Sequence, residues 1–214
     1  MKRCTLLGSA LFALLLAGPA AAHSEKTAPA KRPAAQAVPS PGGAQEARAY
    51  FTDLELRTQD NKPVRFYTDA MEGKTVVINF IYTNCKDACP LITQKMLQVR
   101  EVLGDKFNKD VFYVTVTTDP LRDTPAELKK FAQKQSADMP GWLFLTGSPR
   151  DLELCRIRFG FTDPDPELDR AKTQHTNVVL LGNEPNERWM ATPALTNPEF
   201  MLNQMSRVAG WKVV

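Results

Sequence analysis

The 214-residue sequence predicts an α/β domain, a mixed β-sheet with helices packed on both faces. Three observations carry that prediction. Thr75-Val-Val-Ile-Asn-Phe-Ile-Tyr82 and Val111-Phe-Tyr-Val-Thr-Val116 are apolar, β-rich runs with little alternation, as expected of strands buried on both faces. One helix-start device recurs three times, a capping side chain followed by proline and an acidic residue: Thr124-Pro-Ala-Glu127, Ser148-Pro-Arg-Asp151 and Asn197-Pro-Glu199. Along the chain the order reads β-hairpin, β, α, β, α, β, α, β, β, α, and such alternation places ligand chemistry at the carboxyl ends of parallel strands.

At the N-terminus, Met1-Lys2-Arg3, an apolar stretch through Leu14-Leu15-Leu16-Ala17 and then Ala20-Ala21-Ala22 have the three regions of a secretory signal. The pattern predicts export with cleavage after Ala22; if retained, residues 1–22 become a membrane anchor. Cys4 would leave with the signal. Residues 23–48 turn to Ala, Pro, Ser, Gly and Lys without periodicity and are expected to be a disordered linker to a domain at 49–214. Cleavage would leave His23 as the new N-terminal residue, where amine and imidazole can chelate copper; the plainer reading is a residue beside a cleavage site.

A hydrophobic content of 43% with both charge signs abundant is ample for one core-bearing domain. Loss of Lys2 and Arg3 takes the formal charge from +3 to +1 (3 − 2), so the mature chain carries no whole-chain signal for a nucleic-acid partner or an anionic membrane surface. Cys85, Cys89 and Cys155 then remain in a normally oxidising compartment, an odd number.

Order is expected to begin near Tyr50, with two short strands, Tyr50 to Leu56 and Val64 to Tyr67, around the turn Asp60-Asn61-Lys62-Pro63. The central strand follows and runs into Thr83-Asn-Cys85-Lys-Asp-Ala-Cys89-Pro90. A strand feeding a helix puts this thiol pair at a helix N-terminus, where unpaired N–H groups and the positive dipole end favour thiolate. As a structural disulfide the pair closes too small a loop to restrict the unfolded chain much. As two buried thiols it would bury its neighbours Lys86 and Asp87, which want solvent. A redox-active dithiol, a soft-metal site, or both, is the better reading. Ile92, Met96, Val99 and Leu103 mark one face of the helix that Gly104 ends, and at that spacing Met96 belongs to the core.

After the strand at 111–116, Asp119, Arg122 and Asp123 either line the same sheet edge or form a solvated turn before the Thr124 helix. Trp142 to Thr146 reads as a strand, and Cys155, in the helix after Ser148, as a buried small hydrophobe without a motif partner. Phe161 to Gln174 is long, charged and punctuated by Pro164 and Pro166, a loop of the functional or mobile kind. It ends on His175, the only histidine of the expected domain, directly before a strand at Thr176 to Leu181. If the sheet returns that strand beside the one ending at Tyr82, the imidazole can join both thiolates in a two-sulfur, one-nitrogen site that suits copper. Arg188 to Ala191 reads as a further strand; Trp189 and Met190 are candidate partner contacts.

At these residues the chain resembles the Sco (SenC) family of thioredoxin-like copper proteins over roughly Tyr50 to Val208. The resemblance rests on the strand into Cys85-Lys-Asp-Ala-Cys89-Pro90, on Thr117-Thr-Asp-Pro-Leu-Arg-Asp-Thr-Pro125, on Leu145-Thr-Gly147 and on His175-Thr176. It implies a thioredoxin-like fold with an inserted N-terminal hairpin, copper held by Cys85, Cys89 and His175, and a part in assembling the copper centre of cytochrome c oxidase. It also implies a site in the periplasm or on the outer face of the inner membrane, with a tether through the N-terminus. Gln174 departs from the family, which often has Asp there, and Gly182 to Leu195 departs from its usual Gly-rich hairpin. Two other functions compete. A thiol-disulfide oxidoreductase would use Cys85 and Cys89 as its catalytic pair on an exported client, although the usual redox helix has two residues between its cysteines. A peroxide-reducing enzyme would want threonine where Tyr82 stands.

Overall fold

In a computed structural model that describes residues 44–163, 165–171 and 177–211, the expected strands join in one seven-stranded sheet. The strands are β1 (Glu55–Thr58), β2 (Pro63–Arg65), β3 (Thr75–Ile81), β4 (Val111–Thr117), β5 (Trp142–Thr146), β6 (Val178–Asn183) and β7 (Arg188–Pro193), in the order β2-β1-β5-β4-β3-β6-β7. β3, β4 and β5 run parallel, while β1 and β6 pair antiparallel with β5 and β3. The sheet is therefore mixed, and β3 lies inside it with all but its first residue buried, which is why its sequence shows no polar alternation.

The period of two in β3 divides the core. Val77 and Ile81 face one layer, with Ile92, Met96 and Val99 of α2 (Ala88–Leu103), Leu128 and Phe131 of α3 (Pro125–Lys134) and Met201 and Met205 of α6 (Pro198–Ala209). Val76, Ile78 and Phe80 face the other, with Ala47 and Phe51 of α1 (Ala44–Phe51) and Leu152, Cys155 and Phe159 on and after α4 (Pro149–Arg158). Met96 is a core residue, fully buried. All three expected caps form: Thr124, Ser148 and Asn197 accept hydrogen bonds from the N–H groups of Glu127, Asp151 and Phe200. Gly104 ends α2 at a φ of +54°.

Four expectations need correction. Tyr50 and Phe51 belong to helix α1, not to a strand; Phe51 is fully buried, its ring 5.0 Å from Phe159 and 4.6 Å from Trp189, and tertiary packing outweighs the strand preference of an aromatic pair. The second strand ends at Arg65, and Phe66 and Tyr67 turn into the core. Within the stretch read as a long loop lies α5 (Pro166–Ala171). Its Asp169 meets the almost fully buried Arg156 of α4, whose guanidinium binds both Asp169 oxygens at 2.6 and 2.8 Å and the Phe161 carbonyl at 2.6 Å. Trp189 is an internal contact: its ring covers Gly182, where a Cβ would come within 2.0 Å of it. Met190 packs on the opposite core layer.

Residues 1–43, with the expected signal, Cys4 and His23, lie outside the described residues, as do Gln174, His175 and Thr176. No helix among the described residues is long and apolar enough to cross a membrane.

Candidate functional site

β3 delivers the chain to the sheet edge at Ile81, and Tyr82 begins a tight turn in which the Cys85 N–H donates to the Tyr82 carbonyl at 3.1 Å. Helix α2 starts three residues later. Its N-cap, Asp87, makes no side-chain capping bond. The Cys85 sulfur takes that place, accepting the Cys89 N–H at 3.4 Å. An orphan donor of the first helical turn is thus spent on a sulfur, so the spacing of the two cysteines is also a capping geometry. Cys85 is 8% exposed and Cys89 1%, and both are free thiols.

The two sulfurs are electrostatically unlike. At Cys85 burial works against the thiolate, but the Cys89 N–H, the Cys89 thiol, the Asp87 backbone and the Tyr82 hydroxyl outweigh it and hold the thiol below its ordinary value. Cys89 is pushed up to about 12, first by burial and then by the proximity of Cys85 and the Asp123 carboxylate. Tyr82 is likewise raised to about 12, by burial and by its hydrogen bond to Cys85. The thiolate is therefore favoured at Cys85 and disfavoured at Cys89.

Asp123 divides the two readings of its segment. Arg122 is solvated and pairs with Asp119 at 3.1 Å, but Asp123 is 1% exposed. Its Oδ2 accepts from the Thr83 N–H at 3.0 Å and the Thr117 hydroxyl at 2.5 Å, and its Oδ1 from the Thr83 hydroxyl at 2.5 Å. Thr117 ends β4 and pairs with Ile81 across the sheet. The carboxylate thus bridges the ends of adjacent parallel strands and holds the start of the cysteine turn. Sequence reasoning left Asp119, Arg122 and Asp123 between the sheet edge and a solvated turn without distinguishing Asp123 from its neighbours, and it missed Tyr82 as a thiol partner; no periodicity marks either residue.

The condition set for the imidazole is met by the strands. β6 lies beside β3 and antiparallel to it, with Ile78 opposite Leu180, so β6 begins at the edge where β3 ends. His175, which precedes it in sequence, is outside the described residues. Among the described residues no three His, Cys, Asp or Glu side chains group as a metal site. Cys155 is fully buried and raised by burial alone, which makes it a core residue.

The chain is 35% identical over 129 residues to the SCO1 protein homolog of Bacillus subtilis, covering 59% of this chain and 65% of that one. Solved structures share its architecture, among them two Sco proteins. ScoI of Bradyrhizobium japonicum, solved with copper bound, superposes at a TM-score of 0.56 with 25% identity over 72% of this chain and 96% of that one. BsSco, described as a member of the Sco family of cytochrome c oxidase assembly proteins with a disulfide switch, superposes at 0.59 with 26% identity over 74% and 92%. The thioredoxin-like fold, with the β1–β2 hairpin added at one sheet edge, is the one expected. The SCO1/SenC profile matches residues 43–210, so the α1 helix, the cysteine turn and the C-terminal α6 helix all fall inside a single match, and the chain belongs to the SCO1/SenC family.

Proposed function

We propose that the chain is an exported copper carrier that loads the copper-centre subunit of cytochrome c oxidase or another exported cuproprotein. The observation that carries this reading is the thiol pair at the carboxyl end of β3, joined by the Cys89 N–H to the Cys85 sulfur at 3.4 Å. Two soft thiolates suit Cu(I), and an imidazole from His175 would make the third ligand. The placement of β6 beside β3 supports that choice, as does the copper bound to the Bradyrhizobium relative. Residues 1–22 would direct export, and the stretch that follows would let the domain reach its client from the periplasm or from a tether on the outer face of the inner membrane.

The cargo and the redox state of the pair are linked. A disulfide between Cys85 and Cys89 has no thiolate to offer, so the carrier takes up metal only when reduced. The test is copper stoichiometry after anaerobic reduction and Cu(I) loading against a competing chelator, for the wild type and for His175→Ala. One retained copper per wild-type chain, with weaker retention in the variant, is expected. A reduced wild type that retains no copper refutes the carrier.

A second reading has its own observation, the inequality of the thiols. As a thiol-disulfide reductase, Cys85 thiolate attacks a client disulfide, forms a mixed disulfide and releases one client thiolate. Cys89 then gives up its proton and attacks Cys85; the second client thiolate leaves, and the two electrons of the reduced pair have passed to the client. This activity would survive His175→Ala, whereas tight copper retention would not.

A further inference from the structure

Asp123 is a buried carboxylate held by neutral donors alone: one N–H and two hydroxyls at 2.5 to 3.0 Å. Among the described residues no cation forms an ion pair with it. An ion in such a place is costly to bury unless its hydrogen bonds and surroundings compensate. Its contacts with the Thr83 N–H and hydroxyl seat the charge two residues along the chain from Cys85. We propose that Asp123 is a positioning residue with two separable effects: it braces the cysteine turn through Thr83, and as a fixed anion it tilts the thiol pair toward divalent and away from monovalent soft metal ions.

The charge argument rests on reading the pair as a metal site and follows from counting. A divalent ion between two thiolates is neutral, and the Asp123 carboxylate meets no net charge there. A monovalent ion leaves a net charge of −1, which the carboxylate repels. For a charge pair separated by about 10 Å in an effective interior dielectric of about 20, Coulomb's law changes the ratio of affinities by about tenfold. Copper itself occurs as monovalent Cu(I) and divalent Cu(II), so a fixed anion beside the thiols sets how strongly the apo site discriminates between them.

The brace and the charge can be separated because an amide can imitate the hydrogen bonds of the carboxylate. In Asp123→Asn the amide oxygen at the Oδ2 position accepts from the Thr83 N–H and the Thr117 hydroxyl, and the amide nitrogen donates to a turned Thr83 hydroxyl. Asp123→Ala removes both effects. The experiment uses the full reduced chain, with Cd(II) and Ag(I) as redox-inert, thiol-seeking probes in competition titrations, and hydrogen exchange at the Thr83 amide of the metal-free protein. Asp123→Asn is expected to keep Thr83 protected while lowering the Cd(II)-over-Ag(I) preference about tenfold. Asp123→Ala is expected to lose the Thr83 protection and to weaken both ions. An unchanged preference in Asp123→Asn overturns the proposal, and so does a wild type that binds neither ion. Loss of folding in Asp123→Asn also overturns it, because the carboxylate would then be a structural anion and not a selector. A wild type that holds Cd(II) and Ag(I) but not Cu(I) refutes the copper carrier alone and leaves this ratio to be read.

Discussion

The hydroxyl of Tyr82 is one of four donors on the Cys85 sulfur, and Tyr82→Phe removes it with little change of shape. A hydrogen bond to an ionised group contributes about 1.5–3 kcal/mol. Tyr82 sits half-buried at the rim, where water can replace part of that, and three donors stay in place. The lower end of the range, about 1.5 kcal/mol, is therefore the appropriate figure, and at 1.36 kcal/mol per unit it raises the Cys85 thiol by about one pH unit. Thiolate absorbance near 240 nm isolates this titration, since Cys89 is pushed up to about 12 and Cys155, fully buried, is raised as well. Alkylation at neutral pH should slow by several-fold in parallel. Linkage supplies a second reading. Because folding holds the Cys85 thiol below its unfolded value, its contribution is present above the unfolded value and is lost as pH falls through the folded one. Tyr82→Phe narrows that window from its acid side. Identical Cys85 titrations in wild type and Tyr82→Phe would refute the donor assignment, and with it the account of why the two thiols differ.

Two stability measurements test the scaffold around the site. Arg156→Leu removes a guanidinium whose side chain is 7% exposed and which holds Asp169, Glu153 and the Phe161 carbonyl. Both carboxylates retain some contact with water, so urea unfolding should show a loss of about 2 kcal/mol, below the value for a fully buried pair. A change under 0.5 kcal/mol would mean that this cluster is not what anchors α5. Gly182→Ala drives a methyl into the Trp189 ring, where 2.0 Å separates the ideal Cβ from Cζ3. A loss of about 1–3 kcal/mol is expected, with a red shift of tryptophan emission as that ring is displaced; neither would occur if Trp189 were a free partner contact.

Much of this protein is legible as local chemistry. The strands at 75–81, 111–117 and 142–146 declare themselves because a strand buried on both faces reads as a near-continuous apolar run. The helices after Thr124, Ser148 and Asn197 declare themselves because a cap is a bond between residues three apart. The thiol pair belongs to the same class, since a β-rich run passing directly into a helical pattern places it at the helix N-terminus. Where a residue's environment comes from distant segments, the sequence is silent. Phe51 is helical because Phe159 and Trp189 close over it, more than a hundred residues away. Asp123 and Arg122 are adjacent and equally charged in magnitude, yet one lies buried across two strand ends and the other in solvent. The inequality of Cys85 and Cys89 has the same origin: the sequence determined that two thiols stand at a strand-to-helix junction, whereas burial, Tyr82 and Asp123 decided which of them ionises, because those influences act through space between segments that only the folded sheet brings together.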